Sequence, residues 1–192
     1  YWLSFGTPIV TIRPFNTYGP RQSMRAVIPA IITQLLSGKD YINLGSIYPT
    51  RDFNYVDDTC MACIKLIKCD GAIGKIVNSA SSFEISIGKT ATLIGQIMNK
   101  EINIVSEERR KRPSASEVNR LFGDNSLLKS LTGWEPDYAG LNGFKNVFSS
   151  LGDILQPNQR ALCIGARTGQ EIVALRDMDI DAVGITNQRE ST

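Results

Sequence analysis

The side chains in this sequence best suited to binding chemistry are Arg21, Arg51, Arg112, Asn16 and Glu117. They fall in three segments, RPFNTYGPRQ (Arg13 to Gln22), TRDFNYVDD (Thr50 to Asp58) and KRPSASEVNRLFGDNS (Lys111 to Ser126), whose polar residues sit where a strand-like run gives way to a loop. Open α/β sheets hold their ligands at that junction. A guanidinium presents paired planar donors that match phosphate oxygens. Asn16 adds an amide at a strand end, and Glu117 can accept hydrogen bonds from a ribose. Recognition of a diphosphate ester is the chemistry these types imply. Taken singly, an asparagine after a strand is a turn residue and an exposed arginine is solvated. The reading rests on all of them in this order.

Other constellations carry less. The chain has no histidine, which excludes histidine triads, histidine general bases and histidine metal ligands. Cys60 and Cys63 form a single C-x-x-C, and with only Cys69 and Cys163 besides, nothing completes a zinc site or a disulfide framework. They read as small buried side chains. Gly88-Lys89-Thr90 has the ending of a phosphate-binding loop, but Phe83 stands where that pattern needs its first glycine. Asp57 reads as a helix cap rather than an acid catalyst. The 21 basic and 19 acidic residues are scattered, with a net charge of +2, so neither nucleic acid nor membrane is an expected partner. No apolar run approaches the roughly 20 residues of a membrane span and no signal peptide opens the chain, so a cytoplasmic protein is expected.

The elements that must position these residues follow from apolar periodicity. Pro8 to Ile12 reads as a strand bounded by Pro14, and Tyr18 to Arg21 as a turn. A helix is expected from Ile28 or Pro29 to Leu36, then strands at Ile42 to Leu44 and Asp52 to Val56. A helix capped by Asp57 runs to about Lys68, with Cys60, Cys63, Ile64 and Ile67 on one apolar face. A strand at Lys75 to Asn78, a helix capped by Ser86 and a strand at Ile102 to Val105 come next, and short helices lie around Asn125 to Leu131 and Leu141 to Phe148. Strand and helix alternate, so the class is α/β. The domain boundaries expected are 1–150, a linker at 151–159, and 160–192. In that last part Ala161 to Ile164, Gln170 to Met178 and Ala182 to Ile185 make one βαβ unit.

In order and spacing the three polar segments resemble the extended short-chain dehydrogenase/reductase family, in particular its NAD-dependent nucleotide-sugar 4,6-dehydratases and 4-epimerases. RPFNTYGPRQS followed by AVIP, TRDFNYVDDT and EISIG is most similar to the UDP-N-acetylglucosamine-type 4,6-dehydratase of legionaminic-acid synthesis. The resemblance covers residues 1 to about 148. It implies the C-terminal part of a Rossmann-type epimerase/dehydratase with its smaller substrate-binding subdomain, followed by a partial βαβ unit.

It also implies residue roles. Asn16 would hydrogen-bond the diphosphate or sugar of a UDP-sugar or related nucleotide-sugar, and Pro14 and Phe15 would lie beside the nicotinamide of NAD. Val27, Ile28 and Pro29 would back the base, with Ile42 and Leu44 on its other side. Arg51 and Arg112 would grip the phosphates, and Glu117 would meet the ribose. A homodimer is the implied assembly of the intact enzyme. The family's Tyr-x-x-x-Lys pair and its glycine-rich NAD loop occur nowhere in the sequence, so the chain by itself is expected to be inactive. The expected activity of the intact protein is 4,6-dehydration: oxidation at C4, loss of water, hydride return at C6. A 4-epimerase and a non-catalytic sugar-nucleotide-binding module share every motif present. The tail, ALCIGARTGQEIVALRDMDIDAVGI, resembles the opening of class I S-adenosylmethionine-dependent methyltransferases. There Gly165 and Gly169 would either meet S-adenosylmethionine or form a tight turn, and Thr186 stands where an acidic ribose ligand is expected.

Overall fold

Short β-branched runs alternate with amphipathic helical ones along this chain, and the computed structural model, which describes residues 1–38, 41–108, 117–152, 160–164 and 181–185, is accordingly α/β. After a short helix α1 (Trp2–Phe5), strand β1 (Thr11–Pro14) pairs in parallel with β5 (Ile76–Ser79), from Thr11 opposite Ile76 to Pro14 opposite Ser79. The strand therefore lies later than the expected Pro8 to Ile12. Pro14 closes it rather than bounding it, as proline is admitted at a sheet edge.

Strand β2 (Asn16–Tyr18) was not evident in the sequence, which showed only the turn after it. It pairs with β4 (Thr50–Tyr55), placing Asn16 opposite Phe53. The other half of β4 is flanked by antiparallel β6 (Glu84–Ser86) and by β8 (Arg120–Leu121), where Leu121 lies opposite Arg51. Strand β4 thus brings all three polar segments together. Strands β3 (Tyr41–Leu44) and β7 (Asn103–Ser106) form a further parallel pair.

Helix α2 (Val27–Leu36) starts slightly before the expected residue, so Pro29 falls in the first turn, where backbone N–H groups have no intrahelical acceptor and a missing one costs nothing. Helix α3 (Val56–Ile67) corrects two expectations. Its N-cap is Tyr55, and Asp57 joins Asp58 inside the first turn, where negative charge suits the helix dipole. Its buried residues are Asp58, Ala62 and Leu66, whereas Cys60, Ile64 and Ile67 are exposed and Cys63 is half-buried. The apolar face at i, i+3, i+4 and i+7 faces outward because the sheet covers the neighbouring, smaller stripe.

Helix α4 (Ile87–Ile97) agrees with expectation, with the Ser86 hydroxyl accepting from the Lys89 N–H at 3.2 Å. Helices α5 (Ser126–Thr132) and α6 (Gly140–Gly152) follow. In the tail, β9 (Arg160–Ile164) and β10 (Asp181–Ile185) pair in parallel, while the helix expected at Gln170 to Met178 lies outside the described residues.

Two apolar clusters hold this frame. The larger joins Ile28, Ile31 and Leu35 of α2 to Ile42, Leu44, Phe53 and Ile85 of the strands and to Leu93 and Ile94 of α4. The smaller packs Ala62 and Leu66 of α3 on Val77, Leu128 and Trp134. The Trp134 indole N–H donates to the Asp58 carbonyl at 3.1 Å, and the Asp58 carboxylate accepts from the N–H groups of Asp137 and Tyr138 at 2.9 and 3.1 Å. Burial pushes the Asp58 carboxyl above its ordinary range despite those two donors.

Candidate functional site

The polar segments meet over a cleft of about 670 Å³, within the usual size of a small-molecule site. Its floor comes from β2 and β4 through Asn16, Thr17, Arg51 and Phe53. One wall is the loop into α2, with Gln22, Arg25, Ala26, Val27 and Ile28; the other combines Asn43 to Ser46, Pro49, Ile87, Glu117, Val118 and Leu121. Apolar walls with a few convergent polar groups are what a nucleotide's base and phosphates require.

Six of the residues expected from sequence line this cleft: Asn16, Val27, Ile28, Leu44, Arg51 and Glu117. Pro29 and Ile42 do not. Ile42 is fully buried in the larger apolar cluster, and Pro29 sits in the α2 first turn, its carbonyl accepting from the Thr33 hydroxyl at 2.8 Å. Arg112, Gly165 and Gly169 lie outside the described residues. Arg21 is exposed and adopts a left-handed φ of 67°, apart from the cleft lining.

Arg51 and Glu117 come together in a way the sequence did not indicate. The Arg51 Nη2 donates to Glu117 Oε1 at 3.0 Å, while its Nη1 donates to the carbonyls of Thr50 at 2.8 Å and Val118 at 2.6 Å. Both side chains are mostly enclosed, at 14% and 18% exposure, so this pair is fixed rather than solvent-averaged. Arg25 and Gln22 were missed as cleft residues. The signal for Arg25 was its place directly before the α2 cap, where a side chain faces the mouth of a strand-to-helix loop. Gln22 anchors that loop by donating from Nε2 to the Thr17 carbonyl at 2.9 Å, and its Oε1 is buried with no partner.

A second buried carboxylate supports the floor. Asp52 is fully buried; its Oδ1 accepts from Ser81 N at 2.9 Å and Ser81 Oγ at 2.7 Å, and its Oδ2 from Gly123 N at 3.1 Å. Burial raises its carboxyl above the ordinary range against those hydrogen bonds. A Cβ on Gly123 would stand 2.2 Å from Ala80 Cβ and 3.0 Å from the Phe15 ring, so only glycine permits this approach. Gly19 is similarly crowded, by Val56, at the turn leading into the α2 loop.

The described residues do not by themselves complete an NAD site. Pro14 is exposed at the end of β1, Phe15 is tied through its N–H to the Ser79 carbonyl at 2.9 Å and packs towards Gly123, and among the described residues no glycine-rich strand-to-helix turn cradles a pyrophosphate. Among the described residues no cluster of three or more acidic or thiol ligands could hold a metal, and no helix is long and apolar enough to cross a membrane.

Residues 1–147 match the family model described as GDP-mannose 4,6 dehydratase. The chain is 28% identical over 156 residues to an uncharacterized UDP-glucose epimerase, YtcB, of Bacillus subtilis, covering 81% of this chain and 48% of that protein. It is 36% identical over 107 residues to human dTDP-D-glucose 4,6-dehydratase, covering 56% and 30% respectively. Among solved structures it resembles RMD from Pseudomonas aeruginosa complexed with NADPH, with a TM-score of 0.69 at 26% identity over 80% of this chain and 51% of that one. The chain thus spans about half the length of such relatives.

These findings correct two expectations. The family match falls on the amino-terminal part of this chain, so the expected assignment to a C-terminal half nearest the legionaminic-acid dehydratase, with a methyltransferase-like tail, gives way to the broader GDP-mannose dehydratase-like group. The fold class likewise becomes an α/β Rossmann-like amino-terminal portion of this chain in place of a C-terminal part with a smaller subdomain. Matched from residue 1 to 147 of 192, the chain belongs to the GDP-mannose 4,6 dehydratase family of NAD-dependent nucleotide-sugar epimerases and dehydratases.

Proposed function

We propose that the cleft binds a nucleoside-diphosphate sugar, a UDP-sugar or a close relative, for an NAD-dependent 4,6-dehydratase. The observation that carries this reading is the convergence of Asn16, Arg51 and Glu117, from three separated segments, on one cleft with Val27 and Ile28 on one wall and Leu44 on the other. In this reading the base lies between those apolar side chains, Glu117 lies within reach of the ribose, and Asn16 and Arg51 meet the diphosphate and sugar. The dehydratase is preferred to an epimerase because the family model matched over residues 1–147 is described as a 4,6 dehydratase, and the human dTDP-D-glucose 4,6-dehydratase shares 36% identity over 107 residues. The NADPH in the RMD complex supports a nicotinamide cofactor for the reaction.

The 192 residues contain neither Tyr-x-x-x-Lys nor a glycine-rich dinucleotide loop, so binding without turnover is expected of this chain alone. Isothermal titration with UDP-N-acetylglucosamine tests the reading. Saturable one-to-one binding, weakened about tenfold or more in Arg51→Ala, is the expected result. A folded chain that takes up no nucleotide-sugar overturns it.

A further inference from the structure

The charges on the cleft are two arginines and one glutamate among the described residues: Arg25, Arg51 and Glu117. Arg51 is committed within the protein, to Glu117 through Nη2 and to two backbone carbonyls through Nη1. Its charge is compensated at 3.0 Å inside a mostly enclosed pair, and such a pair projects little field beyond itself. Arg25 forms no ion pair among the described residues and is exposed at the cleft. The loop holding it is anchored, by Gln22 on the Thr17 carbonyl and by the Ala26 N–H on the Ser23 carbonyl at 2.9 Å, so its backbone is presented to the cleft at a set position.

Resting on the nucleotide-sugar reading above, we propose that Arg25 supplies the net positive charge that the described residues bring to the cleft and selects a nucleoside diphosphate over the monophosphate and the bare nucleoside. A diphosphate carries more negative charge than either, and an uncompensated guanidinium at the entrance rewards that difference, while a pre-neutralised Arg51 chiefly orients it by hydrogen bonding. Charge selection and phosphate positioning then belong to two different arginines.

Titration of the full chain with UDP, UMP and uridine, repeated at low and moderate salt, separates the possibilities. The expected result is that Arg25→Gln lowers UDP affinity about tenfold or more, leaves uridine unchanged and flattens the salt dependence, while Arg25→Lys stays within roughly threefold of the parent. If the parent prefers UDP to uridine and Arg25→Gln retains that preference, this inference is overturned and the nucleotide-sugar reading stands. A variant that loses UDP and uridine equally assigns Arg25 a merely structural role and also overturns it. A parent chain binding none of the three overturns the nucleotide-sugar reading and this inference with it.

Discussion

At the scale of single residues, the side chains that shape this site are defined as much by what they hold as by what they present. Asp52 is next to Arg51 in β4 but points the opposite way, into the protein, where it joins Ser81 and Gly123 beneath the cleft floor. Asp52→Asn sets an amide donor against one of those N–H groups, and a cost of about 1–3 kcal/mol in urea unfolding is expected. The sign of its pH dependence follows from burial. The folded-state carboxyl is raised above its ordinary value, so the folded protein binds that proton more tightly than the unfolded chain. Its stability contribution is full below the ordinary carboxylate value and is lost as pH rises through the raised one. The penalty of Asp52→Asn, measured at pH 4 and pH 7, is therefore expected to be larger at pH 4. A penalty that grows towards neutrality rejects this assignment.

At the scale of elements, helix α3 shows how a strong sequence pattern can face the wrong way. Leu66 is 2% exposed against Val77 and Trp134, while Ile67, its neighbour, is 79% exposed. Leu66→Ala is expected to cost about 2–5 kcal/mol, and Ile67→Ser to stay within about 0.5 kcal/mol, both read from denaturant midpoints at unchanged slope. Equal effects would mean that the helix is rotated from the position described. Helix α4 is the opposite case, since its serine cap and its buried stripe of Ile87, Ala91 and Ile94 coincide with what periodicity indicates.

Across the whole molecule, burial is uneven. Around α1 and β5 the apolar side chains of Leu3, Phe5, Ile9 and Ile76 face outward, with Leu3 at 95% exposure, while the cleft side is closed by the larger cluster. Exposed apolar surface on this scale favours dye binding and self-association. Leu3→Glu combined with Phe5→Glu is expected to lower both in light-scattering and fluorescence measurements without shifting the unfolding midpoint. A parent chain that is monodisperse and dye-silent at high concentration contradicts this.

Much of the site was legible in the sequence because its determinants are local. RPFNTYGPRQ, TRDFNYVDD and the Glu117 segment each carry turn-formers and polar groups beside a β-branched run, and short-range sterics and capping make that pattern readable. The α/β class and helices α2 and α4 follow from the same periodicity. What only the tertiary structure decided is non-local. The three-residue β2 is too short to show any alternation and exists because β4 pairs with it. The Arg51–Glu117 pair spans 66 residues of sequence, and the burial of Asp52 depends on Gly123, 71 residues on. The outward face of α3 was decided by which stripe the sheet could cover. Periodicity reports that a helix has an apolar face, but which neighbour arrives to bury it is settled only by the packing of the whole chain.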